Sequence, residues 1–401
     1  MLQKVNKKDQ NLTPAIIIPV YNRPESLKRL LDGINKSNYP SNAVELIISV
    51  EYGASAEVIE IVDSYHFKHG SKSIIKRRNK LGVKNHIIAC ADLSEKYGSL
   101  LILEDDLMVS PDFYLYAADA LSFYKTENSV AGISLYSQRF NETAQLPFEP
   151  MPSEYSVYFM QLACSWGQAW TSGQWMRFKK WLAYSNISDT NGLPDNIKQW
   201  ESDSWKKIFN IYMLQSDTYF AYPYRSFTTN NSEIDGTHIK NKGGLFQVPI
   251  GAFNSRDPVF QFPDFEDQII SYDMYMECSS ELAALLSGIK NRSICMDLYG
   301  TKPNDELLKS NLIVSSRKGP KPIRSFPLSL KPHELNLKIK ESNHENPFFY
   351  LYDREQVAEI TPLTRRQYAR MADYFSYFKS LSWRYTTGFL MTVISKILSK
   401  K

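Results

Sequence analysis

The chain has 401 residues, of which 43% are hydrophobic and 22% charged, and its formal net charge is +4. This length predicts either one large domain with additions or two domains, and the composition is that of a globular protein. The charge is too small to indicate a nucleic-acid partner, and no basic run is interleaved with aromatic residues as in a nucleic-acid-binding module. We therefore expect no nucleic-acid partner.

The N-terminal segment, the apolar runs and the cysteines bear on cellular location. Residues 1–13 are polar and lack the apolar core of a signal peptide. No apolar run approaches the roughly 18 residues of a membrane-spanning helix. The four scattered cysteines follow no metal-binding spacing. These features predict reduced thiols and a cytoplasmic protein.

Strands and helices are predicted to alternate along the first 136 residues. Apolar runs predict strands at 15–20, 44–50, 73–77, 100–103 and 131–136. Helical spacing of apolar residues predicts helices at 27–34, 56–65, 84–93 and 112–124. This alternation predicts an α/β fold with a doubly wound, mostly parallel sheet.

Three acidic residues follow the strand predicted at 100–103: Glu104, Asp105 and Asp106. In open α/β sheets, ligands bind at the carboxyl ends of the strands. Crowded carboxylates repel one another, and a divalent cation that prefers oxygen ligands relieves that repulsion. Such a cation can hold a diphosphate, which suits an enzyme with a nucleotide-linked donor. The alternative is an acidic surface turn before a helix.

Four motifs occur in a fixed order along the chain: Ile18–Arg23, Glu104–Leu107 with Pro111–Phe113, Trp200–Trp205, and Asn230–His238. In this order they resemble the family 2-type glycosyltransferases of the GT-A fold, in the branch that includes N-acetylglucosaminyltransferase I. The first motif is similar to the nucleotide-binding turn of that family, and the second to its metal-binding DXD motif. The resemblance covers about residues 14–240.

The resemblance implies an inverting, metal-dependent glycosyltransferase of the hexosyl or N-acetylhexosaminyl kind. Its donor would be a nucleotide-sugar, expected to be a UDP-sugar, and its acceptor a glycan or a lipid-linked glycan. The implied cofactor is Mn²⁺ or Mg²⁺. Bacterial members of this type build capsule, O-antigen and other surface polysaccharides, so the same role is expected here.

The resemblance, together with the composition of the residues that follow it, predicts a domain organisation. Residues 1–240 would form the GT-A catalytic domain, with a nucleotide-sugar half at about 14–125 and an acceptor half at about 126–240. Residues 241–330 would form a loop-rich accessory region, with a basic, proline-rich linker at 315–332. Residues 331–401 would form an amphipathic helical extension at the C-terminus.

Residue roles in donor binding are likewise implied by the resemblance. Asp106 would be the direct metal ligand, with Glu104 and Asp105 facing the donor sugar and the ribose. The metal would neutralise the leaving nucleoside diphosphate as a Lewis acid. For Arg23 and Lys84 the alternative is a solvated charge. The residues expected to hold the nucleotide or close its pocket are Pro19, Tyr21, Arg23, Glu51, Asn79 and Lys84.

Asp203 is the candidate catalytic base. An inverting transfer needs a carboxylate that takes the proton from the acceptor hydroxyl. In the family this acid precedes an aromatic residue in a tryptophan-containing segment, as Asp203 does here. Glu201 is the rival, and if the segment is helical at most one of the two faces the cleft. The alternative is an acidic helix start.

His238 lies in the last motif and has three possible roles. It could be a second metal ligand or a phosphate contact, because histidine is a common metal ligand and a hydrogen-bonding group near neutral pH. The third possibility is an ordinary loop histidine.

Two competing functions are considered. A sugar nucleotidyltransferase would need a glycine-rich, arginine-containing phosphate loop after the first strand, where this chain has Tyr21–Pro24. A non-catalytic, membrane-associated assembly partner would need no acidic triplet and no Asp203. Both are therefore disfavoured.

The C-terminal extension carries two apolar stripes at helical spacing. One comprises Met371, Tyr374, Phe375 and Phe378, and the other Leu390, Val393, Ile394 and Ile397. Basic residues surround both stripes, which predicts peripheral contact with an anionic membrane surface at the inner face of the cytoplasmic membrane. The alternative is a helix pair docked on the catalytic domain.

Overall fold

The computed structural model describes residues 12–40, 43–231, 244, 246–251, 258–265, 269–339 and 346–375. This part of the chain divides into two compact units. The first contains the residues up to 143 together with 148–282, and the second contains 144–147 and the residues from 283 onward.

The described residues form strands and helices in an alternating order that breaks down after β6. The strands are β1 Ala15–Val20, β2 Val44–Val50, β3 Gly70–Lys76, β4 Ser99–Ile102, β5 Leu107–Val109, β6 Val130–Ser134, β7 Phe140–Asn141, β8 Leu146–Pro147, β9 Val157–Met160, β10 Gln168–Thr171, β11 Tyr219–Pro223, β12 Thr228–Asn230, β13 Ser271–Tyr272, β14 Ile294–Asp297, β15 Leu312–Ser315, β16 Arg324–Phe326 and β17 Phe349–Asp353. The helices are α1 Pro24–Asn35, α2 Ala56–Ser64, α3 Gly82–Ala91, α4 Ser94–Tyr97, α5 Phe113–Tyr124, α6 Ser172–Tyr184, α7 Asp195–Lys198, α8 Trp205–Ser216, α9 Ser280–Ser287, α10 Asn304–Leu307 and α11 Arg365–Phe375, with 3₁₀ helices at His333–Lys338 and Arg354–Glu359.

The first unit is built on a nine-stranded sheet in the order β13-β9-β11-β6-β10-β4-β1-β2-β3. The predicted strands and helices up to residue 136 are confirmed, and β1 and β2 begin and end as expected. The α/β fold with a large, mostly parallel sheet is confirmed as well. β1 pairs in parallel with both β2 and β4, and β2 pairs in parallel with β3.

Helices cover both faces of this sheet because its strands are apolar on both sides. Ile16 and Ile18 on β1 belong to one core cluster together with the buried face of α1, whereas Ile17 is equally buried but points to the opposite face. On that opposite face Trp170 of β10 stacks against Trp175 of α6, with ring centroids 5.1 Å apart. The predicted apolar stripe of α1 is buried throughout.

β10 lies antiparallel between β4 and β6. Its position reverses the chain direction once in the middle of the sheet, so β4 and β6 run the same way on either side of it. β11 pairs in parallel with β6 and extends this arrangement. The carboxyl ends of β1, β2, β4, β6 and β11 therefore all lie at one edge of the sheet.

The first unit continues to residue 282, whereas the sequence predicts that the catalytic domain ends at residue 240. Two interactions of the later segment account for the difference. β13 pairs with β9 at the edge of the large sheet. Phe260 packs against Tyr116 of α5, with ring centroids 5.5 Å apart. The accessory region thus contributes to the first unit before the second begins.

The second unit is a four-stranded sheet in the order β14-β15-β17-β16. Its β16 lies inside the segment 315–332 that the sequence assigns to a linker. The proline and basic content that predicts a linker is compatible with an edge strand, which needs ladder hydrogen bonds on one side only. Between β14 and the residues after β15, Arg317 pairs with fully buried Asp297 at 2.7 Å. Burial raises the pKa of Asp297, and the Arg317 charge opposes that rise.

The predicted C-terminal extension contains β17 and α11 among the described residues, so it is not purely helical there. Met371 of the first apolar stripe is buried, and Arg370 lies over the Phe348 ring at 5.3 Å. The start of that stripe therefore packs on protein. Phe378 and the second stripe lie outside the described residues. Within the described part of the chain, no helix is both long and apolar enough to cross a membrane.

The close contact between β6 and β11 at Gly132 yields a stability prediction. A Cβ on Gly132 of β6 would meet the Phe220 ring of β11 at 2.7 Å. We expect Gly132→Ala to lower the free energy of unfolding by about 1–3 kcal/mol, as overpacking does in a close-packed core. The measurement is denaturant unfolding followed by circular dichroism.

Gly173→Ala is the matched control. Its Cβ would find its nearest atom at 3.9 Å, and the residue lies in α6, where alanine is favoured over glycine by up to about 1 kcal/mol. Equal stability of the two variants would contradict the packing argument.

Candidate active site

The candidate site lies at the edge of the sheet where β1, β2 and β4 end. Arg23 comes three residues after β1, Glu51 directly after β2, and the acidic triplet Glu104–Asp106 shortly after β4. Because β1 pairs in parallel with both β2 and β4, the three strand ends are adjacent. The parallel pairing is therefore what brings these side chains together.

Arg23 joins two of the three acids of the triplet. Its Nη1 atom lies 2.6 Å from Asp106 Oδ2 and 3.2 Å from Asp105 Oδ1. Burial lowers the pKa of Arg23, but the charges of Asp106, Asp105 and Glu104 outweigh that effect and raise it. The alternative of a solvated charge at Arg23 is therefore wrong, since this guanidinium is bound within the acidic triplet.

Two carboxyl groups of the triplet, those of Glu104 and Asp105, have raised pKa values. Burial, with a smaller contribution from Asp106, raises the pKa of Asp105 to about 6, and Arg23 opposes the rise. Burial and the charges of Asp106 and Asp105 raise the pKa of Glu104, while Arg23 and Lys206 oppose that rise. Each added positive charge at this edge therefore favours the ionised triplet.

Glu51 binds backbone amides of the chain itself. Its Oε1 atom accepts hydrogen bonds from the amides of Tyr52 at 2.8 Å and Leu81 at 3.1 Å, and its Oε2 atom accepts one from Gly82 at 3.0 Å. The side chain is buried and lies at the N-terminus of α3, where a negative charge interacts favourably with the helix dipole. Glu51 thus fixes the loop that leads into α3.

The buried side chain of His86 lies next to Glu51, with its Nδ1 atom 3.8 Å from Glu51 Oε2. His86 Nε2 lies 2.7 Å from Ser49 Oγ, and Arg77 Nε donates to the same Ser49 oxygen at 3.0 Å. Burial lowers the pKa of His86 to about 4, although the nearby Glu51 charge acts in the opposite direction. His86 is therefore neutral at physiological pH.

The remaining residues expected to bind nucleotide lie around these two loops. Pro19 is half-buried on β1, and Tyr21 is 39% exposed, with Lys80 Nζ 5.9 Å from its ring centroid. Asn79 is exposed in the loop that Glu51 fixes, and Lys84 is half-buried in the first turn of α3. These side chains surround the strand ends.

Lys206 is a site residue that sequence reasoning missed. Its Nζ atom lies 4.9 Å from the Trp200 ring centroid and 5.7 Å from that of Trp166. Its charge also lowers the pKa of Glu104, so the first turn of α8 faces the triplet. The available signal was a lysine directly after the last motif tryptophan, Trp205.

Asp203 and Glu201 are both exposed, in a turn that precedes α8. The segment is therefore not helical, and the argument that at most one of them faces the cleft does not apply. Ser204 begins the helix: its Oγ atom accepts a hydrogen bond from the amide of Lys207. Among the described residues no hydrogen bond or ion pair joins Asp203 to the triplet.

His238 lies outside the described residues. The chain that leads to it starts beside the triplet, because Asn231 donates a backbone hydrogen bond to the Asp106 carbonyl at 3.0 Å. Directly before Asn231, β12 pairs with β5, which begins at the residue after Asp106.

The described residues contain no group of three or more acidic, histidine or cysteine side chains arranged to hold a metal. Asp105 and Asp106 nevertheless offer carboxylate oxygens on either side of Arg23. One or two carboxylates, completed by the phosphates of a substrate, are a common way for proteins to bind Mg²⁺. The donor set therefore fits a cation shared with a diphosphate.

Residues 15–180 match the model of the glycosyl transferase family 2. No protein of curated function matches the chain in sequence. The chain is similar in structure to S. aureus TarS residues 1–349, with 14% identity, a TM-score of 0.36, and coverage of 55% of this chain and 61% of that one.

Two further solved structures are similar to this chain. The mannosyltransferase PcManGT from Pyrobaculum calidifontis, in complex with GDP-Man and Mn²⁺, shares 13% identity at a TM-score of 0.30, over 43% of this chain and 50% of that one. GalNAc-T7 with UDP, GalNAc and Mn²⁺ shares 12% identity at a TM-score of 0.35, with coverage of 53% of this chain and 42% of that one. The match thus spans less than two thirds of each of these three chains. The segment that matches the glycosyl transferase family 2 model contains β1, β2 and β4 and the acidic edge at which these three strands end.

Proposed function

We propose that the chain transfers a sugar from a nucleotide-sugar, a UDP-sugar, to a glycan acceptor with inversion at the anomeric carbon. The observation that carries this proposal is the contact of Arg23 with Asp105 and Asp106, at the carboxyl edge of the family-matched segment. A role in the synthesis of bacterial surface polysaccharide rests on the sequence resemblance.

Donor binding is assigned to the loops after β1 and β2. Arg23 supplies positive charge for the diphosphate. Glu51, whose oxygens already accept backbone amides, acts by holding the α3 loop in place. Tyr21, Asn79 and Lys84 line the same opening, and Pro19 shapes the strand end beneath it.

Asp106 would hold a divalent cation, Mn²⁺ or Mg²⁺, together with the donor phosphates, and His238 is a further candidate ligand. Asp105 is assigned to the ribose of the donor. The chemistry that such a cation supplies is charge neutralisation of the leaving nucleoside diphosphate. Arg23 shares this task, because its guanidinium lies between the same carboxylates. Glu104 is assigned to the donor sugar. The charge of Lys206, which lies over the Trp200 and Trp166 rings, acts on this carboxyl group.

Asp203 is proposed to take the proton from the acceptor hydroxyl as its oxygen attacks the anomeric carbon. Support comes from Lys206, three residues further on, whose charge acts on Glu104. The turn that carries Asp203 is held in place because Lys207 Nζ donates to the carbonyls of Lys198 and Trp200, at 2.7 and 2.8 Å. A fixed turn is what a positioned base requires.

Asp106→Ala tests the metal proposal. We expect most sugar transfer and Mn²⁺-dependent UDP release to be lost, because the metal ligand is removed. The free energy of unfolding should change by about 1 kcal/mol or less, since Asp106 is partly exposed at a strand end. Activity is measured with a panel of UDP-sugars and Mn²⁺.

The control is Asp63→Ala, which removes an exposed acid paired with Lys76 on the outer side of the sheet. That variant should keep full activity. Undiminished turnover of Asp106→Ala in excess EDTA would refute the proposal.

Asp203→Asn tests the general base against Glu201→Gln. Because the amide cannot take the proton, turnover should fall by about 10²–10⁴-fold while the affinity for the UDP-sugar stays near that of the unchanged chain. Glu201→Gln should be close to unchanged. The reverse pattern, with Glu201→Gln inactive and Asp203→Asn active, would identify Glu201 as the base.

We also propose a cytoplasmic protein whose second apolar stripe, Leu390–Ile397, contacts the anionic inner face of the membrane. The neighbouring lysines and aromatic residues of the sequence support this. A chain ended after Leu381 should no longer sediment with anionic vesicles but should still hydrolyse donor. Sedimentation or unfolding of the shortened chain would show that these residues have a structural role instead.

A further inference from the structure

A second opening lies at the same edge of the sheet, after β6 and β11. It is a cavity of about 560 Å³ lined by Ser137, Arg139, Tyr224, Arg225, Ser226 and the segment 248–251. We call it the arginine pocket. None of the lining residues that the structure describes is acidic, and two of them, Arg139 and Arg225, carry guanidinium groups.

The walls of the arginine pocket are tied together by hydrogen bonds. Ser226 Oγ accepts from the Ser137 amide at 2.8 Å, and the Ser226 carbonyl accepts from the Gly251 amide at 2.9 Å. The loops after β6 and β11 and the segment around Gly251 are thereby held in register. The pocket is therefore a built feature of the fold.

Both arginines are held by their surroundings. Arg139 Nη2 donates to the Tyr224 carbonyl at 2.7 Å, which leaves other N–H groups of its guanidinium for a ligand. The aliphatic part of Arg225 lies against Gly251 so closely that a Cβ there would come within 1.9 Å of Arg225 Cδ. The Arg225 side chain can occupy this position only because residue 251 has no Cβ atom.

An aromatic cluster joins the arginine pocket to the acidic triplet. Trp166, which lies beside Lys206, packs against Tyr136 and Phe246 with ring centroids 4.8 and 5.2 Å apart. Phe246 leads directly into the segment 248–251 of the pocket wall. The pocket therefore lies on the acceptor side of the same edge.

We propose that the arginine pocket is an acceptor subsite that binds an anionic group of the glycan, a phosphate or a carboxylate. The assignment of the pocket to the acceptor rests on the proposed function. The prediction that the pocket binds an anion rests on its lining residues alone. Two guanidinium groups that line one cavity suit an oxyanion because this group matches the planar N–H fork of arginine. The substrate class is thus an acidic glycan.

The test is isothermal titration of the full chain with four small probes. Glycerol 3-phosphate and glucuronate present the two anionic groups, and glycerol and glucose are their neutral counterparts. We expect the chain to bind one or both anions and neither neutral probe. The anion that binds more tightly identifies the group.

Arg139→Gln and Arg225→Gln should each weaken anion binding about tenfold, and together about a hundredfold. Arg139→Lys should recover only part of the loss, because it keeps the charge but not the fork. Gly251→Ala should weaken binding by displacing Arg225 without removing a charge. Arg354→Gln, an exposed arginine of the second unit, is the matched control and should bind as before.

Donor binding, measured separately with a UDP-sugar and Mn²⁺, should be unchanged in all these variants. Loss of anion binding with donor binding intact supports the subsite. Equal anion binding by the double variant, no anion binding by the unchanged chain, or equal binding of the neutral probes would overturn it. If the unchanged chain fails to bind any donor, the proposed function fails, and the titration still decides the ligand of the pocket.

Discussion

Mutual repulsion among three successive carboxylates is the constraint on which the rest of the site depends. Glu104, Asp105 and Asp106 follow a strand end, where burial already disfavours the ionised forms of Glu104 and Asp105. They remain compatible with folding because positive charge arrives from two sides. Arg23 comes from the neighbouring strand β1, and Lys206 from the first turn of α8. The electrostatics of the triplet thus determine which loops must converge on it.

The converging loops are held by hydrogen bonds between charged side chains and backbone groups. The Glu51 carboxylate satisfies the amides at the start of α3, which would otherwise be unpaired. Lys207 does the same for carbonyls of the turn before α8. Both residues stabilise loops in place of touching a reacting group, so the flexible parts of the edge are held by charged anchors. Side chains at other positions of these loops can therefore be substituted while the loop backbones keep their positions.

The first half of the fold could be predicted from the sequence because its signals are local. β1 and β2 are continuous apolar runs, and α1 shows its buried stripe directly. The triplet and Arg23 were also found, since each follows such a strand. The antiparallel placement of β10 could not be predicted, because strand pairing between distant segments leaves no local pattern. The partners of Glu51 depend on a loop thirty residues away, and β16 looked like a linker because an edge strand tolerates the same composition.

The place of β10 in the sheet has a consequence for synthesis of the chain. The strands β1 to β4 are complete once residue 102 has been made, and they can pair as β3-β2-β1-β4 at that stage. The next partner of β4 begins only at residue 168. During that interval the apolar, fully buried residues of β4 form an unprotected sheet edge, which is the kind of surface that pairs with other chains. The nascent protein is therefore exposed to aggregation after β1 to β4 have formed and before β10 has left the ribosome.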